Sequence, residues 1–339
     1  AGRSYRAGRR AKIYPSGLCG RAEESADSLQ DEVALVSDTV TLRHRTTELV
    51  LSRAGGGIVS FQRDGQALMC AAPTQPYLAC FPMLPFCSRI HEGRFNFAGQ
   101  GVELAANFLP EPHTIHGFGW QAHWQLHSMS ETACTLQFHH DQAASDATGW
   151  PWLFSAQQRF ELGEQGLVVT VALENHSDQV MPAGMGLHPH FPLLEATAGG
   201  NAGTAITLLC NAGIQMSEAF LPQAVDLSDG RATNVMAAKP WRERDVDDVF
   251  AYGSGTAQIQ WQEKPWSVCI ESDPALPHWI VFAPRGAGFI CIEPISHFPN
   301  VVNVQPAPAE ASGGLKKLGP SEVWSTCTTF RIVPSAAVT

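Results

Sequence analysis

From Val33 onward the apolar residues recur with period two, and nowhere does a run of three or more helical turns carry an apolar stripe. Side chains that alternate between two faces build strands, so such a chain must bury its apolar surface sheet against sheet. Val40 to Ser52 (VTLRHRTTELVLS) alternates, halts at Gly55-Gly56-Gly57 and resumes as IVSFQRDGQALM, with Asp64-Gly65 supplying a tight turn. Cys134 to Asp141 reads as another strand, Gln157 to Ser177 as two strands around Gly163 to Gly166, and Ala257 to Pro294 as four more separated by turn residues. No repeat of fixed period is present, which argues against a propeller. The expectation is an all-β chain: a large antiparallel β-sandwich forming a single domain over residues 31–339. A division into two β domains near Gly199 to Gly203 is the alternative.

Composition narrows the function classes. With 44% hydrophobic and 16% charged residues the chain is globular, and no apolar run is long enough to span a membrane. The net charge of −10 argues against a phosphate-backbone partner, so neither nucleic acid nor membrane is expected. Six of the 22 basic residues (Arg3, Arg6, Arg9, Arg10, Lys12, Arg21) fall within residues 1–30, which lack hydrophobic periodicity and the apolar core of a secretory signal. This segment reads as a disordered or non-native extension. Nine cysteines, an odd number with no C-x-x-C pair, fit neither a zinc site nor a disulfide framework. Buried thiols in a reducing, cytoplasmic setting are expected.

Chemistry concentrates in a few stretches. Phe289 to Asn300 (FICIEPISHFPN) sets one carboxylate, Glu293, at the end of an apolar run and before a proline that is expected to end the strand. Period two places Glu293 on the same side as Phe289 and Cys291, where partial desolvation raises its basicity. His116 lies in HTIHGFGW, whose Gly117 and Gly119 allow close approach to a ligand; the same histidine also reads as a hydrogen-bonded structural residue. His188 and His190 flank Pro189 in GLHPHF and serve either chemistry or loop capping. Arg89 is a buried ion-pair partner or a ligand clamp. Asp247 and Asp248 are hydroxyl acceptors or a solvated turn. Trp120, Phe118 and Trp152 offer flat apolar faces to a ligand or pack the core.

One carboxylate with two separated histidines suggests general acid and base catalysis without a covalent intermediate. No G-x-S-x-G, Walker or Rossmann fingerprint is present, so neither a nucleophilic serine nor a nucleotide cofactor is expected. His188, His190 and Glu195 form H-x-H followed by Glu, part of the metal motif of cupin barrels, but the downstream glycine falls one residue late, at Gly203.

In order along the chain, GGGIVSFQRDGQALM, PMLPFCSRIHEGRFNFAGQ, HTIHGFGW, GMGLHPHF, DVDDVF and CIEP resemble the aldose 1-epimerase (galactose mutarotase) family over roughly Val33 to Val333. The resemblance implies a β-supersandwich and a reaction without cofactor or metal that interconverts the α and β anomers of a free sugar. It implies Glu293 as catalytic base, His188 as catalytic acid, and His116 as a second histidine binding the sugar and assisting at the ring oxygen. Arg89 and Asp247 become substrate-binding residues. Ser88, His190, Pro192 and Ile295 depart from the family's usual asparagine, tyrosine, asparagine and glutamine, which leaves the identity of the sugar open. The expected activity is therefore that of a mutarotase, an isomerase. A non-catalytic carbohydrate-binding or sensor protein on the same fold is the second reading, and a metal-dependent cupin-like enzyme the third.

Overall fold

The computed structural model describes residues 38–72, 77–141, 149–194, 203–217, 220–224, 245–304 and 314–335. Among these residues there is no α-helix, and strands pair antiparallel throughout the principal sheet. No helix of the described residues is long and apolar enough to cross a membrane. The residue 1–30 segment, Glu195 and part of the Gly199 to Gly203 stretch lie outside the described residues.

Seventeen strands join in one continuous hydrogen-bonded sheet that folds into the two layers of a β-sandwich. The strand Val246–Trp261 is the link between its arms. Its first residues pair with His278–Ala283 (Val246↔Ala283 to Phe250↔Trp279), and its later ones pair with Trp266–Ser272 (Thr256↔Glu271 to Gln260↔Ser267). One arm continues through Trp266–Ser272, Val323–Pro334, Gly166–Asn175, Phe154–Gly163 and Ala133–His140. The other continues through His278–Ala283, Phe289–Ile295, Gly186–Pro192 and Cys80–Met83 to the N-terminal hairpins.

Alternation then decides which side chains enter which core. Along Phe289–Ile295 the fully buried Ile290 and Ile292 join the main core, with Phe61, Phe160, Val171 and Phe330. Ile295, on the opposite face, joins a second apolar cluster with Phe81, Trp120, Val249 and Ile280. Burying a large apolar side chain contributes roughly 1.5–3 kcal/mol, so both faces hold the strand in register. A carboxylate placed on the second face is therefore taken out of water by the fold itself.

One expectation needs correction and one gains detail. Val40 to Ser52 divides into a hairpin, Thr39–His44 with Thr47–Ser52, closed by Arg45-Thr46 with Arg45 at φ 54°. The alternation continues across the two-residue turn and hides it. The Asp64-Gly65 turn falls where expected, with both residues at positive φ (50° and 72°) between Ile58–Arg63 and Gln66–Met69. Pro294 does not end its strand, which runs on to Ile295 with Pro294 paired to Trp279. Pro294 is tolerated because its missing N–H falls on the seam with Gly186–Pro192. That seam pairs at Gly186↔Ile295 and again from His190↔Cys291 to Pro192↔Phe289, with regular pairing lost in between. Pro189 lacks an N–H on the same seam, so both strands bring fewer donors to this stretch.

Candidate active site

The loosened seam is where several of the candidate residues meet. Two residues inward from Gly186↔Ile295, the same register sets His188 opposite Glu293. His188 Nε2 lies 3.3 Å from Glu293 Oε1, and both side chains are buried. His188 Nδ1 and Glu293 Oε2 are buried without a protein hydrogen-bond partner, so the pair retains unused polar atoms of both kinds. On the neighbouring strand Phe81 pairs with His188 and stacks on its ring, with centroids 4.5 Å apart. Phe81 has no signal in the sequence beyond an apolar run.

His116 reaches the pair from a different direction. A two-stranded ribbon, Arg89–Ile90 with Thr114–Ile115, delivers Arg89 and His116 together. The His116 ring stands edge-on to His188, with centroids 5.0 Å apart at 89°. The Ser88 N–H donates to His116 Nδ1 at 3.3 Å, so the neutral ring carries its proton on Nε2 and is preset as a donor there. Ser88 and His116 both occupy the left-handed region, at φ 54° and 61°. Gly117, expected to clear room for a ligand, instead clears room for the backbone: a Cβ there would lie 1.9 Å from the Leu84 carbonyl oxygen. Trp120, Phe118 and Trp152 are packing residues. Trp120 stacks on Phe81 and donates its indole N–H to the Gly117 carbonyl, while Phe118 and Trp152 pack against Trp150.

Arg89 is both ion-pair partner and candidate clamp. Its Nη2 donates to Asp247 Oδ2 at 3.1 Å and its Nε to Glu111 Oε2 at 3.3 Å, and the guanidinium lies 5.0 Å over the Phe220 ring. A guanidinium has five N–H donors, so these two bonds leave others for a ligand. Asp247 faces Arg89 because it pairs with Phe282, which pairs in turn with Cys291 on the Glu293 face. Asp248, one residue on, points to the other face, away from Arg89 and Glu293. Glu111 had no distinguishing pattern in sequence; it lies in the loop that precedes His116.

Burial opposes charge throughout the site. It pushes Glu293 well above the ordinary carboxylate range; Asp247 adds to that rise, while Arg89 opposes it. It pushes His188 well below the ordinary imidazole range, reinforced by His190 and His116. His116 is likewise held low by burial, then by Arg89 and His190. For Arg89, burial alone would lower the pKa, but Asp247 and Glu111 outweigh it and hold the guanidinium above its usual value. Both shifts in the Glu293–His188 pair disfavour charge separation and favour the proton on the carboxyl group.

The same physics gives the fold an acid limit. Besides His116 and His188, burial lowers His190 and His297 to about 4 and His278 to about 3. Unfolding releases imidazoles that protonate below about 6.5. The unfolded state therefore binds more protons as pH falls from about 6.5 to about 4, and stability decreases over that window. Glu293 acts oppositely, since its raised folded value makes its contribution fade as pH rises above the unfolded one, but it is one group against five. The His190 shift alone corresponds to roughly 3 kcal/mol when fully expressed. Urea titrations at pH 7 and pH 4.5 are expected to show a lower midpoint at pH 4.5; an equal or higher midpoint there would contradict neutral buried imidazoles.

Cys80, Cys87, Cys134, Cys210, Cys269, Cys291 and Cys327 form no disulfide among the described residues, and Cys19 lies outside them. Comparison with known proteins places this geometry in context. A family model described as aldose 1-epimerase matches residues 38–331. The uncharacterized Escherichia coli K12 protein YphB is 28% identical over 275 residues, covering 77% of this chain and 88% of YphB. A solved structure of an aldose 1-epimerase candidate from Escherichia coli K12 aligns with a TM-score of 0.73 at 26% identity, covering 88% of this chain and 99% of that chain. A galactose mutarotase-like protein from Clostridium acetobutylicum shares the fold, with a TM-score of 0.73 at 18% identity over 88% of this chain and 95% of that one. With the match running from the first described strand almost to the last, the chain belongs to the aldose 1-epimerase family.

Proposed function

We propose that the protein is an active mutarotase that interconverts the α and β anomers of a free aldose by general acid and base catalysis. The observation that carries this reading is the buried Glu293–His188 contact at 3.3 Å, with an unpartnered polar atom on each residue. Transfer of the shared proton from the Glu293 carboxyl to His188 gives the reactive form, a carboxylate beside an imidazolium, with no change in net charge. The carboxylate then takes the proton of the C1 hydroxyl, the C1–O5 bond breaks as C1=O forms, and O5 takes the imidazolium proton. The open-chain sugar is thus held by the resting form of the pair. Rotation about C1–C2 and reversal of each step yield the other anomer. Each proton-transfer group contributes about 10² to 10⁴ in rate. In this mechanism His116 supplies a fixed N–H to the ring oxygen, and Arg89 with Asp247 holds the remaining hydroxyls.

The test is polarimetry or anomeric NMR exchange across a panel of aldoses, with saturable acceleration of mutarotation expected for at least one. Saturable binding without acceleration would favour the sugar-sensor reading. The pH profile of kcat/KM adds a sharper check. With His188 depressed and Glu293 elevated, the profile is expected to stay flat through about 6.5, falling only below the depressed imidazole value and above the elevated carboxyl value. An acid limb centred near 6.5 would show His188 titrating as a free imidazole and contradict the neutral pair.

A further inference from the structure

Cys291 belongs to the same face as the acid and base pair but has no part in the mechanism. A buried thiol is ordinarily an inert small apolar group. Cys291 differs because it pairs in register with His190, and because His188 lies two residues from His190 on the same face of the same strand. One ligand atom from each of His188, His190 and Cys291 lies within 4.8 Å of the other two, and all three residues are buried. The two imidazoles are stacked, with centroids 4.7 Å apart at 25°, and His188 Nδ1 has no protein partner.

We propose that His188, His190 and Cys291 form a binding site for a thiophilic divalent cation, of which zinc is the representative. Two imidazoles and a thiolate make a soft donor set that favours zinc over magnesium or calcium. Tetrahedral zinc has bonds of about 2.0–2.3 Å, which sets its ligand atoms roughly 3.5 Å apart, so these donors close by about 1 Å through side-chain rotation. Three protein ligands leave the fourth position to water or a sugar oxygen. On binding, the Cys291 S–H bond breaks, sulfur bonds the cation, and one proton leaves to solvent. The third donor is the thiol across the seam, not the Glu195 of the H-x-H-x₄-E pattern. Because the cation occupies an imidazole that the proposed mechanism needs, it acts as an inhibitor; that corollary alone rests on the mutarotase reading.

The experiment is a cobalt titration of the full chain, read by absorbance. The expected result is one ion per chain with a sulfur-to-cobalt charge-transfer band, displaced by zinc. Cys291→Ser is expected to lose the band, and His190→Gln to bind at least tenfold more weakly, with melting curves showing both variants folded. No uptake by the parent overturns the proposal, and so does a band that persists in Cys291→Ser, since this places the ion on another cysteine. Should Cys291→Ser not fold, the His190→Gln affinity decides. Reversible zinc inhibition of mutarotation, absent in Cys291→Ser, is the corollary's test. A protein that binds cobalt as described but lacks activity would sink the mutarotase reading and leave the metal site standing.

Discussion

Glu293→Gln is expected to lower kcat for anomer interconversion by about 10² to 10⁴ while leaving KM within a few-fold of the parent. Glutamine keeps the shape and a hydrogen-bonding oxygen beside His188 but cannot accept the C1 hydroxyl proton. The interaction it removes is made only as the proton moves, so ground-state affinity should survive. Folding should survive too, because a neutral amide replaces a carboxyl whose charged form burial disfavours. Anomeric NMR exchange with saturating sugar measures the rate, and a melting curve verifies the fold. A folded variant turning over at the parent rate would remove Glu293 from the mechanism.

Gly117→Ala tests how His116 is aimed. At φ 68°, with the Leu84 carbonyl oxygen 1.9 Å and the Leu84 carbonyl carbon 2.3 Å from the position of an added Cβ, alanine forces the backbone to move. The expected loss is on the order of 3–5 kcal/mol, the range reserved for backbone strain combined with overpacking. Gly99→Ala is the control, since it shares a positive φ (84°) but has nothing within 4 Å of its added Cβ. It should cost only about 1 kcal/mol. Displacing His116 by about 1 Å should also reduce kcat about 10²-fold in whatever fraction remains folded. Equal midpoints in denaturant for the two variants would show that the close approach at Gly117 carries no weight.

Local structure was legible in the chain because it is written in local pattern. The strand around Glu293, its alternation with Phe289 and Cys291, and the Asp64-Gly65 turn all follow from spacing and turn chemistry. What alternation hides is a turn that preserves it, as at Arg45-Thr46. Convergence is a different matter. That His188 faces Glu293 depends on a register between strands about a hundred residues apart, and only the family resemblance anticipated it. Glu111 and Phe81 escaped notice for opposite reasons: one sits in a polar loop where an acid is unremarked, the other in an apolar run where an aromatic looks like filling. The lowered pKa of His188 has no local signal because burial belongs to the assembled site, not to the tripeptide.

The double contact on Arg89 has a further effect. One guanidinium faces two carboxylates there, Asp247 at 3.1 Å and Glu111 at 3.3 Å. A ligand bearing a phosphate or a uronic acid would bring further negative charge beside those two acids, where low exposure weakens the screening that water would provide. Uncharged hexoses and pentoses meet no such repulsion.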